Sequence, residues 1–234
     1  MALKADLEAK VAEIFRSRWS VRPGRVVPGP EDVGLSNDAV SFDNATVLYA
    51  DLSGSTSMVN AKPREFAAET YKSYLYAAAR VINSEGGTIT AYDGDRIMAL
   101  FLGDTKNTSA VRCALKINYA VTQIINPALQ AQYPGEQYRV RQVVGIDTSP
   151  IMAARTGVRG DNDLVWVGRA ANYAAKLTEL PADHPSWITG DVYDAMHADV
   201  KVGGNPKRSM WEERSWTSVG GLRIFRSNWW WQIP

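Results

Sequence analysis

A short apolar run that ends in an aspartate and a glycine-containing turn constrains this chain more than any other stretch. Apart from Leu48, residues 45–50 are β-branched, aromatic or small, which in a run of this length is typical of a strand. The turn that follows consists of Asp51, Leu52, Ser53, Gly54, Ser55 and Thr56, and a helical pattern comes next. A carboxylate at a strand end and free amides at a helix start can together hold a metal ion and a phosphate. The stretch therefore predicts a phosphate-binding site. The kind of site has to be inferred from the rest of the chain.

The bulk properties exclude several classes of partner. At 234 residues and a net charge of +1, the chain has one sizeable core and no electrostatic reason to bind nucleic acid or an anionic membrane. Its apolar runs fall short of the ~18 residues of a spanning helix, and its N-terminal residues are charged, unlike a signal peptide. Cys113 is the single cysteine, which fits a reducing compartment. We expect a cytoplasmic protein.

The first forty residues predict a helix and a linker. Residues 3–19 carry Leu7, Val11 and Ile14 at helical spacing among charged positions, so an amphipathic helix is expected. Residues 21–30 contain three prolines and two glycines, which favour an extended linker. The helix either packs on its own domain or contributes to a dimer interface. We therefore expect an N-terminal segment over residues 1–43 and one folded domain over residues 44–234.

The remaining pattern predicts an α+β fold, a mostly antiparallel sheet with helices packed on one side. The predicted helices span residues 64–83, 107–125, 169–180 and 190–198. The predicted strands are a hairpin over 88–101 turning at Asp93 and Gly94, then 138–146, 164–168, 187–189, 210–218 and 221–233, with a turn at 147–150 and a loop over 155–163. Cys113 falls on the apolar side of its helix and is interpreted as a core residue. Eight tryptophans, including residues 229–231, require a buried or interfacial position.

Two pairs of polar residues are candidates for chemistry. Asp51 ends one strand and Asp95 follows the hairpin tip, so the two carboxylates could meet at adjacent strand ends and hold Mg²⁺ or Mn²⁺ with a triphosphate. The alternative is that both are solvated turn aspartates. Asn172 and Lys176 are four residues apart on one helix face, where they could position a sugar and stabilise phosphate charge. The alternative is an exposed polar face.

Four blocks of the sequence together resemble the class III nucleotidyl cyclase domain. They are residues 47–56, 93–101, 145–150 and 167–177, which occur in the order and spacing of that family. The resemblance covers roughly residues 44–180 and implies a ferredoxin-like cyclase fold. Residues 44–234 would then form the catalytic domain.

The resemblance also implies roles for individual residues. Asp51 and Asp95 would bind two divalent metal ions, Mn²⁺ or Mg²⁺, with help from the Leu52 carbonyl. Asn172 would orient the ribose, and Lys176 stands where the family usually has an arginine that stabilises the transition state. The phosphate-binding amides would be those of Ser53, Gly54, Ser55 and Thr56. In the family geometry the two half-sites face each other from different chains, so a homodimer with composite active sites is implied.

The departures from the family pattern concern charge and base recognition. Lysine at 176 lacks the bidentate fork of arginine, so it binds the transition state differently. The family's phosphate-binding lysine near the C-terminus is missing, and Arg214 or Arg223 could substitute for it. Purine-using relatives read adenine with a lysine and an acidic residue, but Ala91 and Val165 occupy those positions here.

Tyr49 lies two residues before Asp51 and so shares the site-facing side of its strand, where its hydroxyl could bond a base edge. The alternative is an ordinary strand aromatic. Together these features resemble the bacterial pyrimidine cyclases of the Pycsar antiphage systems, which make cyclic UMP or cyclic CMP. We predict conversion of UTP to 3′,5′-cyclic UMP for antiviral defence, with a separate cyclic-nucleotide effector. His184 and His197 lie outside the matched blocks, and we expect structural roles for both.

Other functions remain open at this stage. The chain could be a cytidylate cyclase, or an adenylate or guanylate cyclase with altered base contacts. It could be a catalytically silent cyclase-like domain used for dimerisation or sensing. A phosphatase of the haloacid dehalogenase type is disfavoured, because that chemistry needs an acid at the position of Ser53.

Overall fold

The computed structural model describes residues 2–234, which divide into two compact units. One unit contains the residues up to Asn44 together with Pro150–Gly168, and the larger unit contains Ala45–Ser149 and Arg169–Pro234. The predicted domain boundary at residues 43 and 44 falls inside a strand, and the division into two domains there stays a prediction. None of the helices within residues 2–234 combines the length and the apolar character needed to cross a bilayer.

Eleven strands and seven α-helices form within residues 2–234. The strands are β1 Ser20–Pro23, β2 Asp38–Leu52, β3 Thr88–Asp93, β4 Arg96–Phe101, β5 Gln142–Val158, β6 Asp161–Val167, β7 Ser186–Thr189, β8 Val202–Gly203, β9 Arg208–Ser209, β10 Glu212–Trp216 and β11 Leu222–Ser227. The helices are α1 Leu3–Arg16, α2 Ser55–Ala61, α3 Arg64–Ser84, α4 Lys106–Tyr119, α5 Asn126–Gln132, α6 Arg169–Leu177 and α7 Gly190–Ala195. A π-helical segment, Ala120–Ile125, joins α4 to α5.

The larger unit is built on a mixed sheet that is mainly antiparallel, in the order β10-β11-β7-β5-β2-β4-β3. Helix α3 buries residues at helical spacing, including Tyr74, Ala78 and Ile82, and packs with α4 on one face of the sheet. The predicted α+β class, with helices packed on a mostly antiparallel sheet, is confirmed. Cys113 is fully buried in this core, as predicted.

Helices cover both faces of this sheet, so the prediction of one covered face is wrong. Val144 packs in the cluster that contains α3 and α4, while its neighbour Val143 packs with Leu177 of α6. Successive side chains of a strand point to opposite faces, so α6 lies on the other face. The apolar stripe of α6 is short, and the sequence does not indicate which face of the sheet this helix covers.

The smaller unit corrects three local predictions. The predicted linker contains β1, which pairs in parallel with the start of β2. The predicted loop over residues 155–163 is instead a hairpin of β5 and β6, in which Arg155 Nε donates to Asn162 Oδ1 at 2.6 Å. The segment has the polar composition of a loop because much of the hairpin is exposed. Cross-strand pairing stabilises its two strands. Helix α1 forms as predicted but ends at Arg16 and buries no residue.

Strand β5 differs most from the prediction. It begins at Gln142 rather than Tyr138, and it continues through residues 147–150, where a turn was predicted. Asp147 and Pro150 favour turns locally, but the buried Asp147 carboxylate accepts hydrogen bonds from Thr189 Oγ1 at 2.6 Å and Arg169 Nε at 3.1 Å. Those tertiary partners replace the local bonds that stabilise an aspartate in a turn.

Other element ends shift. The predicted helix over residues 107–125 is α4 followed by the π-helical segment, and α6 ends at Leu177 rather than at residue 180. The two C-terminal strands are shorter than predicted, and residues 228–234 lie beyond the last strand. Asn118 Nδ2 holds that tail by donating to the carbonyls of Asn228 and Trp229.

Candidate active site

Asp51 and Asp95 meet at adjacent strand ends in the larger unit. In the antiparallel ladder of β2 and β4, Asp51 lies directly opposite Arg96. Asp95 immediately precedes Arg96 at the hairpin tip. Because opposite residues in such a ladder have Cα atoms about 4.5–5.5 Å apart, the fold brings the two carboxylates together.

The electrostatics of this pair favour a bound cation. Burial raises the pKa of Asp51 to about 6, with a further contribution from the negative charge of Asp95, while Arg96 and the Leu52 amide oppose the rise. The Oδ2 atom of Asp95 is buried and has no hydrogen-bond partner within residues 2–234. Two close carboxylates with an uncompensated buried oxygen fit a hard divalent cation such as Mg²⁺ or Mn²⁺. The residues present therefore fit the metal that the resemblance implies.

The raised pKa predicts how stability depends on pH in the metal-free protein. The ordinary aspartate pKa, which applies to the unfolded chain, is about 3.9. Folding therefore favours the protonated carboxyl, and this contribution is lost as pH rises through 6. Since Asp51 is partly exposed, solvent screening reduces the effect to an order of 1 kcal/mol. We expect metal-free Asp51→Asn to be more stable than wild type by about 1 kcal/mol at pH 7.5 in urea unfolding, and equally stable below pH 4. Equal stabilities at both pH values would contradict this electrostatic account.

Tyr49 and Arg96 lie on the same face of the sheet as Asp51. Tyr49 and Asp51 are half-buried. Leu48 and Ala50, which alternate with them along β2, are fully buried on the opposite face. The Arg96 guanidinium lies 5.3 Å from the centre of the Tyr49 ring, and its Nη2 donates to Asp93 at 2.7 Å. This cation–π contact orients the tyrosine ring next to the carboxylates.

The two predicted base-reading positions have apolar side chains. Ala91 pairs with Met98, which in turn pairs with Tyr49, so one row of residues crosses three strands. A methyl group at 91 leaves space on that row and offers no hydrogen bond. Val165 lies on β6 opposite Ala154 and is 41% exposed.

The turn after Asp51 leads directly into α2. Gly54 has φ +76°, a left-handed conformation that favours glycine, and no side chain of residues 2–234 caps the first turn of the helix. The Ser53 amide donates to the Arg141 carbonyl at 2.8 Å. This amide is therefore already paired, and a phosphate-binding role for Ser53 stays a prediction. The remaining predicted phosphate amides are those of Gly54, Ser55 and Thr56.

Helix α6 is held rigidly against β5. A Cβ on Gly145 would overlap the Ala174 carbonyl, so glycine permits the close approach of strand and helix. At the helix start, Arg169 bonds Asp147 and donates to the Thr148 carbonyl at 2.7 Å. The Ala170 amide donates to Ser149 Oγ at 2.9 Å.

This packing turns Asn172 and Lys176 outward. The buried residues of α6 are Ala170, Ala171, Ala174 and Leu177. Asn172 and Lys176 are both exposed on the opposite face, and neither side chain has a hydrogen-bond or ion-pair partner within residues 2–234. The two candidate substitutes for the missing lysine are paired with acids: Arg214 bonds Glu212 at 2.6 Å and Arg223 bonds Asp194.

Sequence reasoning missed three residues near the carboxylates: Arg96, Tyr74 and Tyr138. Arg96 follows Asp95 directly, but its position opposite Asp51 depends on the register between β2 and β4, which the sequence does not reveal. Tyr74 is fully buried on α3, and Tyr138 precedes β5. Neither stands out in sequence. Tyr74 on the apolar face of a helix resembles an ordinary core residue, and Tyr138 begins a stretch predicted as a strand, where tyrosine is common.

Comparison with known proteins identifies relatives along the whole chain. No protein-family model matches it. It is 51% identical over the full length of both chains to the uridylate cyclase of Burkholderia cepacia and 48% identical, again over both full lengths, to that of Xanthomonas perforans. It is 38% identical to a uridylate cyclase of Rhodovulum sp. (strain MB263), over 98% of each chain. The chain belongs to the uridylate cyclase family.

Solved structures agree on the fold of this family member. The guanylyl cyclase Cya2 superposes with a TM-score of 0.67 at 21% identity, covering 81% of this chain and 93% of its own. The adenylyl cyclase CyaB from P. aeruginosa superposes with a TM-score of 0.66 at 19% identity, covering 81% and 95%. The fold is therefore that of class III cyclases, and the chain is a nucleotidyl cyclase rather than a phosphatase of the haloacid dehalogenase type.

Proposed function

We propose that the protein is a uridylate cyclase, which converts UTP to 3′,5′-cyclic UMP and pyrophosphate. The observation that carries the proposal is the strand-end site in which Asp51 lies opposite Arg96, Arg96 lies over Tyr49, and Asp95 adjoins Arg96 at the hairpin tip. The full-length relatives that are named uridylate cyclases support it. In this proposal the product is a second messenger of antiviral defence, made in the cytoplasm and sensed by a separate cyclic-nucleotide effector.

The chain's own groups suit an intramolecular phosphoryl transfer. Asp51, Asp95 and the Leu52 carbonyl would hold two divalent metal ions, Mn²⁺ or Mg²⁺, which when bound would activate a hydroxyl and neutralise phosphate charge. Asn172 orients the ribose so that its 3′-hydroxyl oxygen, losing its proton to water, attacks the α-phosphorus. The bond from the α-phosphorus to the α–β bridging oxygen breaks, and pyrophosphate leaves with that oxygen. Lys176 stabilises the charge that develops on the phosphate oxygens.

The amides of the turn complete the substrate site. Those of Gly54, Ser55 and Thr56 bind the triphosphate at the uncapped start of α2. The two histidines serve structure in this proposal. His197 Nδ1 accepts from the Asp199 amide at 3.3 Å and caps a 3₁₀ turn, and His184 lies between the carboxylates of Asp183 and Glu212.

Base selection rests on the residues that replace purine contacts. Ala91 and Val165 cannot make the hydrogen bonds with which purine-using relatives read adenine. Tyr49 bonds a pyrimidine edge through its hydroxyl, and Arg96 keeps the ring in place. In this proposal the Tyr49 hydroxyl offers a hydrogen bond to a pyrimidine, whereas Ala91 and Val165 offer none to adenine.

A homodimer with composite active sites accounts for the exposed face of α6. Asn172 and Lys176 have no side-chain partner within residues 2–234, and α6 is too firmly packed on β5 to turn them inward. In the proposed dimer they face Asp51 and Asp95 of the other protomer. Each dimer then has two identical sites, as two-fold symmetry requires.

A nucleotide panel tests the proposed substrate. The protein is incubated with Mn²⁺ and each of UTP, CTP, ATP and GTP, and the cyclic products are identified by mass. We expect cyclic UMP as the main product. Tyr49→Phe should lower kcat/KM for UTP by about 5- to 30-fold, because one hydrogen bond to the base is worth roughly 1–2 kcal/mol.

The matched control is Tyr92→Phe, which removes a hydroxyl from an exposed tyrosine of β3, on the far side of β4 from β2, and should leave the kinetics unchanged. Cyclic product from ATP or GTP alone would overturn the pyrimidine assignment. Main product from CTP would make the protein a cytidylate cyclase. The absence of any cyclic product from folded protein would favour a silent cyclase-like domain.

A further inference from the structure

Two rows of side chains cross strands β3, β4 and β2 on the face of the sheet that carries Asp51. Directly opposite residues of an antiparallel ladder share a face, so the pairs in register define each row. The first row consists of Ala91, Met98 and Tyr49, and the second of Asp93, Arg96 and Asp51. The rows are two residues apart on every strand, which places them side by side. Arg96 therefore stands between two carboxylates of its own row and beside Tyr49 of the next.

The Arg96 guanidinium is held from two sides. Its central carbon lies 5.3 Å from the centre of the Tyr49 ring, and its Nη2 donates to Asp93 Oδ2 at 2.7 Å. The side chain is 31% exposed, so a ligand on this face of the sheet can reach it. Its Nε and Nη1 donors have no hydrogen-bond partner within residues 2–234. Arg96 thus offers oriented and unused donors next to Tyr49.

Uracil and cytosine differ along one edge of the ring. Uracil has a 4-carbonyl oxygen, which accepts a hydrogen bond, where cytosine has a 4-amino group, which donates one. A hydroxyl such as that of Tyr49 both donates and accepts, so it can bond either group. A guanidinium only donates, and it stays charged at neutral pH. Of these two neighbouring residues, only Arg96 can therefore favour the 4-carbonyl over the 4-amino group.

We propose that Arg96 is a specificity-determining residue, which selects uracil over cytosine by donating a hydrogen bond to the 4-carbonyl oxygen of the base. With cytosine in the same position, the 4-amino group faces the guanidinium, and two donors then oppose each other without an acceptor. The methyl side chain of Ala91 leaves space for the base on the neighbouring row. The inference rests on the proposed function, in which the base of UTP contacts Tyr49.

The experiment compares kcat/KM for UTP and for CTP in the wild-type protein and in Arg96→Gln. Both nucleotides are assayed with Mn²⁺ on one preparation of each protein, so their ratio does not depend on the folded fraction. We expect the wild type to prefer UTP by about 100-fold, because a donor that faces the 4-amino group is left unpaired. In Arg96→Gln the preference should fall below about 10-fold, because a glutamine amide also accepts from the 4-amino group.

The ratio separates selection of the base from support of the tyrosine. If Arg96 only orients Tyr49, its replacement lowers kcat/KM for both nucleotides by the same factor, and an unchanged ratio overturns the inference. A ratio that shifts further towards UTP in Arg96→Gln also overturns it, because Arg96 would then favour cytosine. If the wild-type protein cyclises CTP rather than UTP, or neither, the proposed substrate itself fails.

Two further variants serve as controls. Arg96→Lys keeps a cation that only donates, so it should retain most of the preference for UTP even where the overall rate falls. A preference as low as that of Arg96→Gln would contradict the requirement for a donor. Arg80 is an exposed arginine on α3 and lies outside both rows, so Arg80→Gln should leave the ratio within about twofold of wild type.

A modified nucleotide tests the same contact without any substitution. 4-Thio-UTP has sulfur in place of the 4-carbonyl oxygen, and sulfur is a weak hydrogen-bond acceptor. We expect kcat/KM of the wild type to be about 10-fold lower for 4-thio-UTP than for UTP, and the difference to fall within about twofold in Arg96→Gln. Equal values for the two nucleotides in the wild type would overturn the inference, whatever the folding of the variants.

Discussion

Asp51→Ala is expected to lower turnover by at least about 10³-fold while leaving the protein folded. The carboxylate is one of two that would hold the catalytic cations, and losing electrostatic stabilisation of this kind costs roughly 4 kcal/mol in the transition state. The fold should survive, because the charged form of this half-buried group is disfavoured by burial and by Asp95 rather than stabilised by them. Cyclic nucleotide formation measures the first effect, and circular dichroism with urea unfolding measures the second.

Asp43→Ala is the control for this variant. Asp43 is an exposed aspartate on the same strand, β2, and its replacement should leave turnover within about twofold of wild type, as for most surface changes. A folded Asp51→Ala protein that keeps more than about a tenth of wild-type activity would contradict a two-carboxylate metal site.

The second large effect is expected when two inactive variants are combined. Asp51→Ala removes one half-site and Lys176→Ala removes part of the other, so each homodimer has two damaged sites. A heterodimer of the two has one site with both lesions and one site with none. If subunits mix at random, half of the dimers are heterodimers with half their sites intact, and activity returns to about a quarter of wild type. Refolding the two proteins together and assaying cyclic product measures this recovery.

A matched mixture shows that the recovery depends on which half-site is damaged. Asp51→Ala and Asp95→Ala both damage the carboxylate half, so every site in their heterodimer contains a lesion and no recovery is expected. Recovery in neither mixture, from proteins that each form dimers, would place the complete active site within one chain. That result would also leave the exposed Asn172 and Lys176 without the proposed role.

Several features of the site follow from local sequence pattern. The apolar run before Asp51, the turn at Gly94 and the four-residue spacing of Asn172 and Lys176 each depend on neighbours within one element, and the structure contains a strand, a hairpin and a helix there. The start of β5 and its passage through residues 147–150 could not be predicted, since partners distant in sequence bond Asp147.

The sequence by itself determined the identity of the chemical groups and the elements that carry them, because helix and strand periodicity, turn residues and carboxylate chemistry are local properties. The tertiary structure decided how those groups act together. Cross-strand register placed Arg96 opposite Asp51 and over Tyr49, and burial raised the pKa of Asp51. Packing of α3 and of the segment before β5 buried two tyrosine hydroxyls, which raises their pKa values. These properties depend on which residues desolvate one another across the fold, and no spacing along the chain contains that information.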